Sequence, residues 1–256
     1  MTAAHTLSPD RYLAALVLSA LLALLPGRAH AWPWEGDTIK GSGVSKTDTR
    51  SVSGFHGVSL GIDARVELRQ GDTEGVTITG DDNIVPLVET VVEKGMLKIR
   101  WPEDKHMSLT YKKIDIVVNL KDIDGIRLGG SGYIHAARLK TGRLQASLAG
   151  SGDILLDALD ADSLQGTIAG SGKLKAAGRA DTVEFTLAGS GDFVAPKLES
   201  RRVSVSVQGS ADAIVWATES LTATIAGSGD VRYYGKPQVT KTVAGSGSVQ
   251  RARDAT

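Results

Sequence analysis

Seven serines recur along the second half of the chain, and a serine hydroxyl is a nucleophile that many hydrolases use. They follow one another at steps of 18 to 20 residues: Ser131, Ser151, Ser171, Ser190, Ser210, Ser228 and Ser246. Each lies in a Gly-Ser-Gly triplet, except that the fifth copy reads Gly209-Ser210-Ala211. A catalytic serine of the G-x-S-x-G kind needs a strained turn that opens a helix, and neither is present here. Seven equivalent serines therefore indicate a repeated turn, not a catalytic centre.

Aspartates follow the same triplets and could in principle bind a cation. Two residues after the serine stand Asp153, Asp192, Asp212 and Asp230, with Tyr133, Lys173 and Ser248 at the equivalent positions of other copies. Calcium-binding β-helix repeats have a nine-residue period. The period here is twice that, and a lysine interrupts the row. We therefore expect the aspartates to cap turns in water, and a calcium site is the alternative.

Other residues with chemical potential are scattered. His56, His106 and His135 have no metal-ligand spacing, and the absence of cysteine excludes both a thiol nucleophile and disulfides. We predict no catalytic, cofactor-binding or metal-binding residue, and no cofactor. The loop Arg100–His106 is the best candidate for binding by a polar, aromatic segment. For most of the remaining aromatic residues we expect packing roles: Trp32, Trp34, Trp216, Tyr233 and Tyr234.

Apolar columns accompany every turn and must form the core that positions it. Three residues before the serine stand Leu128, Leu148, Ile168, Leu187, Val207, Ile225 and Val243. Three residues after it stand Ile134, Ile154, Leu174, Phe193, Ala213, Val231 and Val249. The position four before the serine is polar in every copy, which gives the period-2 alternation of a half-buried strand.

This pattern predicts an all-β fold, a single-stranded parallel β-helix with about 18–20 residues per turn and about two strands per repeat. One repeat cannot bury its own apolar side, whereas stacked repeats place like residues above like. We assign regular turns to 123–250 and irregular turns to 50–122. The irregular part contains five runs with strand-like alternation, namely 58–60, 64–68, 76–79, 96–101 and 114–120.

The N-terminus predicts export. Arg11 precedes an apolar run that ends at Leu25, and Ala29-His30-Ala31 provides small residues for cleavage. We interpret 1–31 as a signal peptide cleaved after Ala31, 32–49 as a flexible arm and 251–256 as a tail. The protein should then be periplasmic or secreted, with no transmembrane segment in the mature chain. The chain has 29 basic and 29 acidic residues, a balance that offers no electrostatic footprint for nucleic acid.

Several segments together resemble the bacterial DUF2807 family, an auto-transporter adhesin head domain called GIN. They are 54–71, 76–83, 95–99 and the Ala-Gly-Ser-Gly ladder. The resemblance implies an exported β-helix domain of the cell envelope, with no established activity, cofactor or catalytic residue. Three hypotheses follow: a non-enzymatic, adhesin-like module for an envelope glycan or protein, a polysaccharide lyase or hydrolase on the same scaffold, and a scaffolding part of an envelope complex.

Overall fold

The computed structural model describes residues 38–103 and 108–252. In these ranges the chain forms nineteen strands and one 3-10 turn, Val85–Leu87, and it forms no α-helix. The parallel strands stack into a β-solenoid of about six turns. The predicted all-β fold and parallel β-helix are confirmed. The predicted signal peptide, Trp32 and Trp34, and His106 lie outside the described residues.

The first nine strands belong to the irregular half of the solenoid, and all five predicted runs are strands. They are β1 (Thr38–Lys40), β2 (Ser45–Arg50), β3 (Gly57–Leu60), β4 (Arg65–Gln70), β5 (Gly75–Asp81), β6 (Glu89–Glu93), β7 (Met96–Arg100), β8 (Ser108–Thr110) and β9 (Asp115–Leu120). The two strands β1 and β8 form a small parallel sheet of their own, and all the others belong to one continuous sheet.

The remaining strands belong to the Gly-Ser-Gly repeats. They are β10 (Gly125–Gly130), β11 (Tyr133–Ala136), β12 (Leu139–Gly150), β13 (Asp153–Gly170), β14 (Lys173–Gly189), β15 (Asp192–Gly209), β16 (Ala213–Gly227), β17 (Asp230–Tyr234), β18 (Gln238–Gly245) and β19 (Ser248–Arg251). Each pairs in parallel with its equivalent in the next coil, so that the predicted columns stand in register. Leu148, for example, pairs with Leu128 on one side and with Ile168 on the other.

Each coil has three straight runs, where the sequence predicted about two strands. Within β13 the inward residues alternate up to Leu156, then skip to Leu159, and skip again between Ala161 and Leu164. A skip of three residues changes which side faces inward, so the chain bends there and begins a new run. The pairing of β13 with β14 also shifts register between Leu156 and Leu159.

The core is a continuous stack of aliphatic side chains, because each coil supplies inward residues at the same positions. The column from Leu128 to Ile225 is at most 1% exposed in every coil. The rings of Phe185 and Phe193 stack in this core with centroids 4.0 Å apart and planes 8° from parallel. Ser200 is the single buried polar residue among those described, and its hydroxyl donates to the Leu198 carbonyl.

The order of the coils in the stack differs from their order in the sequence. β3 pairs in parallel with β10 on one side and with β7 on the other, and β4 likewise lies between β11 and β9. The coil made by β7 and β9 therefore lies outside the coil made by β3 and β4, although it comes later in the chain. Antiparallel strands cover this outer coil: β6 pairs with β7, β5 with β9, and β2 with β5.

The structure corrects the prediction of a flexible arm over 32–49 for the part that it describes. Residues 38–40 and 45–50 form strands β1 and β2. β2 carries polar residues on both of its sides, so it lacks the alternation of apolar and polar residues by which a strand is recognised in a sequence. Its order comes from pairing along its full length with β5, from Ser45 opposite Asp81 to Arg50 opposite Val76. Arg50 also donates to the carbonyl of Val85, 3.0 Å away.

The last coil, β18 with β19, has an exposed outer side. Two residue columns that are apolar or aromatic in the preceding coils have a basic residue in this last coil. Lys241 continues the column of Val205 and Ala223, and Arg251 continues the column of Val215 and Tyr233. An inward-pointing charge at the end of a sheet is a device that prevents edge-to-edge association.

Candidate functional site

The ladder serines lie on the outside of the corners. All seven are exposed, and the backbone N–H of most of them donates to a glycine carbonyl of the preceding coil, such as Ser171 to Gly150 at 2.9 Å. Among the described residues no side-chain hydrogen bond involves a ladder hydroxyl. The serines are thus part of the corner, as a repeated turn requires.

The aspartate column is a chain of backbone caps. Asp212 Oδ1 accepts the N–H of Asp230 at 2.9 Å, and Asp230 Oδ1 accepts both the N–H and the hydroxyl of Ser248, at 2.9 and 2.8 Å. Asp153 accepts the N–H of Lys173 at 3.2 Å, and the ammonium of Lys173 lies 3.0 Å from Asp192. The described residues contain no group of three or more His, Cys, Asp or Glu side chains that could hold a metal ion.

The two described histidines each face a carboxylate. His56 Nδ1 lies 2.8 Å from Asp124 Oδ1, and His135 Nε2 lies 2.8 Å from Asp157 Oδ2. His135 Nδ1 also lies 3.6 Å from Glu67. These pairs could not be predicted from the sequence, because the two partners of each pair come from different coils.

The predicted loop at Arg100–His106 is described only as far as Glu103. Arg100 pairs with Glu89, Glu93 and Glu103, so its charge is balanced by neighbours. Trp101 is half-buried and its ring packs edge-on against Tyr111, with centroids 5.7 Å apart. Tyr233 packs against the core, which agrees with the packing role that was expected.

One concave surface is a groove of about 990 Å³ that runs across the exposed side of four consecutive coils. We call it the lateral groove. Its residues come from β7, β10, β12, β13 and β14 and from the segments just before β3, β7 and β10. They are His56, Lys94, Met96, Asp124, Arg127, Arg143, Gln145, Gln165, Thr167 and Glu184. Sequence patterns predicted none of these residues as part of a binding surface, and His56 was considered only as a metal ligand.

Glycines create the floor of the lateral groove. Gly57 and Gly125 pair with each other and are buried, whereas the same column continues outward as Gln145, Gln165 and Glu184. The missing side chains leave a depression that the Met96 side chain partly fills, since a Cβ at Gly57 would lie 2.6 Å from Met96 Cε. The groove therefore has a short apolar floor and polar walls.

The walls of the groove carry both bound and unengaged charges. Gln165 links Arg143 to Glu184, accepting from the guanidinium and donating to the carboxylate at 3.2 Å. Asp124 is engaged by His56. In the part of the chain that the structure describes, Lys94 and Arg127 form no ion pair, and both are exposed. The groove can bind a polar ligand that spans several coils and contacts cations at its end.

The fold and the groove together define a class of protein, an all-β solenoid with an exposed polar groove. The family model described as "Putative auto-transporter adhesin, head GIN domain" matches residues 54–237. The chain therefore belongs to this family, DUF2807, as the sequence motifs indicated.

Solved structures support the same assignment. The chain is similar to "a putative adhesin" from Bacteroides fragilis, at 26% identity and a TM-score of 0.79, over 84% of this chain and 100% of that one. It is also similar to a "putative lipid binding protein" from Parabacteroides distasonis, at 27% identity and a TM-score of 0.72, with the same coverage of both chains. A "putative adhesin" from the latter organism shares 25% identity, at a TM-score of 0.66, over 84% of this chain and 100% of that one. No curated protein matches the chain.

Within the described ranges, no helix is both long and apolar enough to cross a membrane.

Proposed function

We propose that this protein is exported to the bacterial cell envelope or beyond it and acts there as a non-enzymatic, adhesin-like binding module. The ligand is an extended envelope component, a glycan or a protein, which lies along the lateral groove. The observation that carries the proposal is the groove itself, which presents polar side chains from four consecutive coils. Coils of a parallel solenoid are about 4.8 Å apart, so these side chains contact several units of a polymer at once.

The export part of the proposal is supported by the three-part pattern of residues 1–31 and by membership of an adhesin family. We expect a mature N-terminus at Trp32. Mass spectrometry of the protein from its native host, after separation of cytoplasm, periplasm and medium, measures both the cleavage point and the compartment. An intact N-terminus in a protein confined to the cytoplasm would contradict export.

The groove part of the proposal is tested with one changed arginine and a matched control. Arg127→Gln removes an unengaged cation from the groove, whereas Arg202→Gln removes an arginine from the same side of the solenoid outside it. On a glycan array and on immobilised envelope fragments, we expect R127Q to lose about tenfold in affinity or more and R202Q to match the parent. Equal binding by parent and R127Q would contradict the groove as the binding surface.

A second function has one observation in its favour. His56 and Asp124 form a hydrogen-bonded pair at the end of the lateral groove, and such a pair can act as a general base in a polysaccharide lyase or hydrolase. This alternative predicts turnover of a polysaccharide that His56→Gln abolishes while binding persists. Reducing-end and unsaturated-product assays with the parent and with H56Q separate the two functions, because a pure binding module releases no product.

A further inference from the structure

A second concave surface lies at the corner where the irregular coils meet the first regular one. We call it the Arg65 cleft, and it has a volume of about 560 Å³. Its charged and aromatic lining residues are Asp63, Arg65, Tyr111, Lys112, Lys113, Asp115 and Tyr133. None of them lines the lateral groove.

Two tyrosines form the apolar walls of the cleft. Tyr111 and Tyr133 are both half-buried. The Tyr111 hydroxyl donates to the Asp63 carbonyl at 3.0 Å, and Trp101 supports its ring from behind. Aromatic residues are only 5% of this chain, and two of them line this cleft while a third, Trp101, packs on Tyr111. Amphipathic aromatic rings at an exposed surface are typical of binding sites.

Arg65 is held over one of these rings. Its guanidinium carbon lies 4.8 Å from the centroid of the Tyr133 ring, in the geometry of a cation–π contact. The strand pairing causes this, because Arg65 stands opposite both Tyr133 and Asp115 in neighbouring coils. The contact fixes the plane of the guanidinium before any ligand arrives, which reduces the entropy lost on binding.

The donors of Arg65 are not used by a carboxylate of the described chain. Asp115 is the acid nearest in register, and its Oδ2 lies 2.7 Å from the ammonium of Lys113. Lys112 is exposed and also forms no ion pair with a described residue. The cleft therefore presents a planar, pre-oriented cation and a second mobile cation beside two aromatic walls.

We infer that the Arg65 cleft binds a carboxylate-bearing saccharide, such as one uronic acid unit of an acidic glycan. The guanidinium fork matches a carboxylate with two parallel hydrogen bonds, and Lys112 adds a second positive charge. The tyrosine walls contact the C–H side of the sugar ring, and Asp63, Thr110 and Ser131 offer partners for its hydroxyl groups. This inference does not depend on the lateral groove, since the two surfaces share no residue.

The test is calorimetric titration of the purified protein with tetragalacturonic acid, with the neutral galactose tetramer and with inorganic phosphate. We expect the acid tetramer to bind, and the neutral tetramer and phosphate to bind at least about tenfold more weakly. Arg65→Gln should weaken the acid tetramer by about tenfold or more, and Arg65→Lys should recover only part of the loss because lysine lacks the planar fork. Arg232→Gln, an exposed arginine outside the cleft, is the matched control.

Three results would overturn the inference: no binding of the acid tetramer, equal affinity for the neutral tetramer, or undiminished affinity in R65Q. Phosphate binding as tightly as the tetramer would also overturn it, because the site would then recognise charge alone. Circular dichroism checks that each variant is folded, and R65K keeps the test decisive if R65Q does not fold. R127Q distinguishes this site from the proposed groove: if R127Q lost the acid tetramer and R65Q kept it, the tetramer would belong to the groove and the inference would be overturned.

Discussion

At the scale of single residues, the corners of the solenoid are the most demanding positions. Gly189 has a φ of +122°, a conformation that L-residues with a Cβ rarely adopt. The same glycine stacks directly on Gly170 of the neighbouring coil, and a Cβ added to it would lie 2.6 Å from the Gly170 carbonyl oxygen. Backbone conformation and close approach therefore both require glycine at this corner.

We expect Gly189→Val to lower the free energy of unfolding by about 3 kcal/mol or more, because strained φ and a backbone clash add. Urea denaturation followed by circular dichroism measures the change. Ser190→Ala is the control, since this exposed hydroxyl makes no side-chain hydrogen bond, and it should change stability by less than about 0.5 kcal/mol. Equal urea midpoints for G189V and S190A would show that the corner tolerates a β-branched residue.

Tyr111 makes the stability of the fold depend on pH. Burial of the hydroxyl, and secondarily the charge of Asp63, raises the pKa of Tyr111 above its ordinary value. The folded state then holds this proton more tightly than the unfolded state, so stability is full below about pH 10 and declines as pH rises through the folded pKa. We expect the Tm of the parent to fall more steeply than that of Tyr111→Phe between about pH 9.5 and 11.5. Parallel Tm curves for the two proteins over that range would contradict this assignment.

At the scale of elements, the two ends of the solenoid are closed in different ways. Antiparallel strands cover the N-terminal end, whereas in the C-terminal coil of β18 and β19 two of the core columns end in Lys241 and Arg251. β18 is exposed along most of its length, and even Val243, in a core column, is 40% exposed. Charge takes the place of a covering strand at this end.

Removal of the Lys241 charge at the C-terminal coil should cause the protein to self-associate. Lys241→Val restores the apolar column and leaves an open strand edge with an apolar surface, so we expect self-association. Light scattering after size-exclusion chromatography should show a larger species at about 100 μM for K241V, a concentration chosen because such edges associate in the μM–mM range. Lys175→Val places the same change on the outward side of β14 and should elute like the parent. A monomeric K241V would show that the charge does not protect this edge.

The same end should open first. Among the described strands, β18 has a partner on one side only, whereas β13 to β15 are paired on both sides. The residues around Val249 are partly exposed. Local unfolding draws on the elements with the fewest buried contacts. We expect hydrogen exchange to be faster in β18 and β19 than in β14 by about a factor of 100 or more. Uniform protection across the solenoid would contradict this.

At the scale of the whole molecule, the regular coils formed by the Gly-Ser-Gly repeats are the part of the fold that can be predicted from the sequence. In-register parallel stacking places Leu148 between Leu128 and Ile168, and a fixed period makes that arrangement visible without a structure. The third run of each coil was missed, because the skips after Leu156 and Ala161 change the alternation by one residue only. β2 was missed because pairing with β5, and not an apolar pattern, orders it.

Both candidate surfaces depend on contacts between segments with no repeat to align them. The floor of the lateral groove needs Gly57 beside Gly125 and Met96, and the Arg65 cleft needs Arg65 beside Tyr133. Residue types alone do not reveal such neighbours. Asp153, Asp212 and Asp230, by contrast, cap backbone N–H groups one period away, a spacing that the repeat makes visible in the sequence.

The exchanged order of the first coils has a consequence for how the chain becomes folded. β3 needs β7 on one edge and β10 on the other, so it completes its hydrogen bonds only after residue Gly125 has been made. Pairing between distant segments is slow to form, because the chain loses loop-closure entropy before the contacts between the segments stabilise it. During synthesis from the N-terminus, β3 and β4 therefore each keep one unpaired edge until β10 and β11 have been made. The repeats, which are made after these strands, are the template on which β3 and β4 complete their pairing.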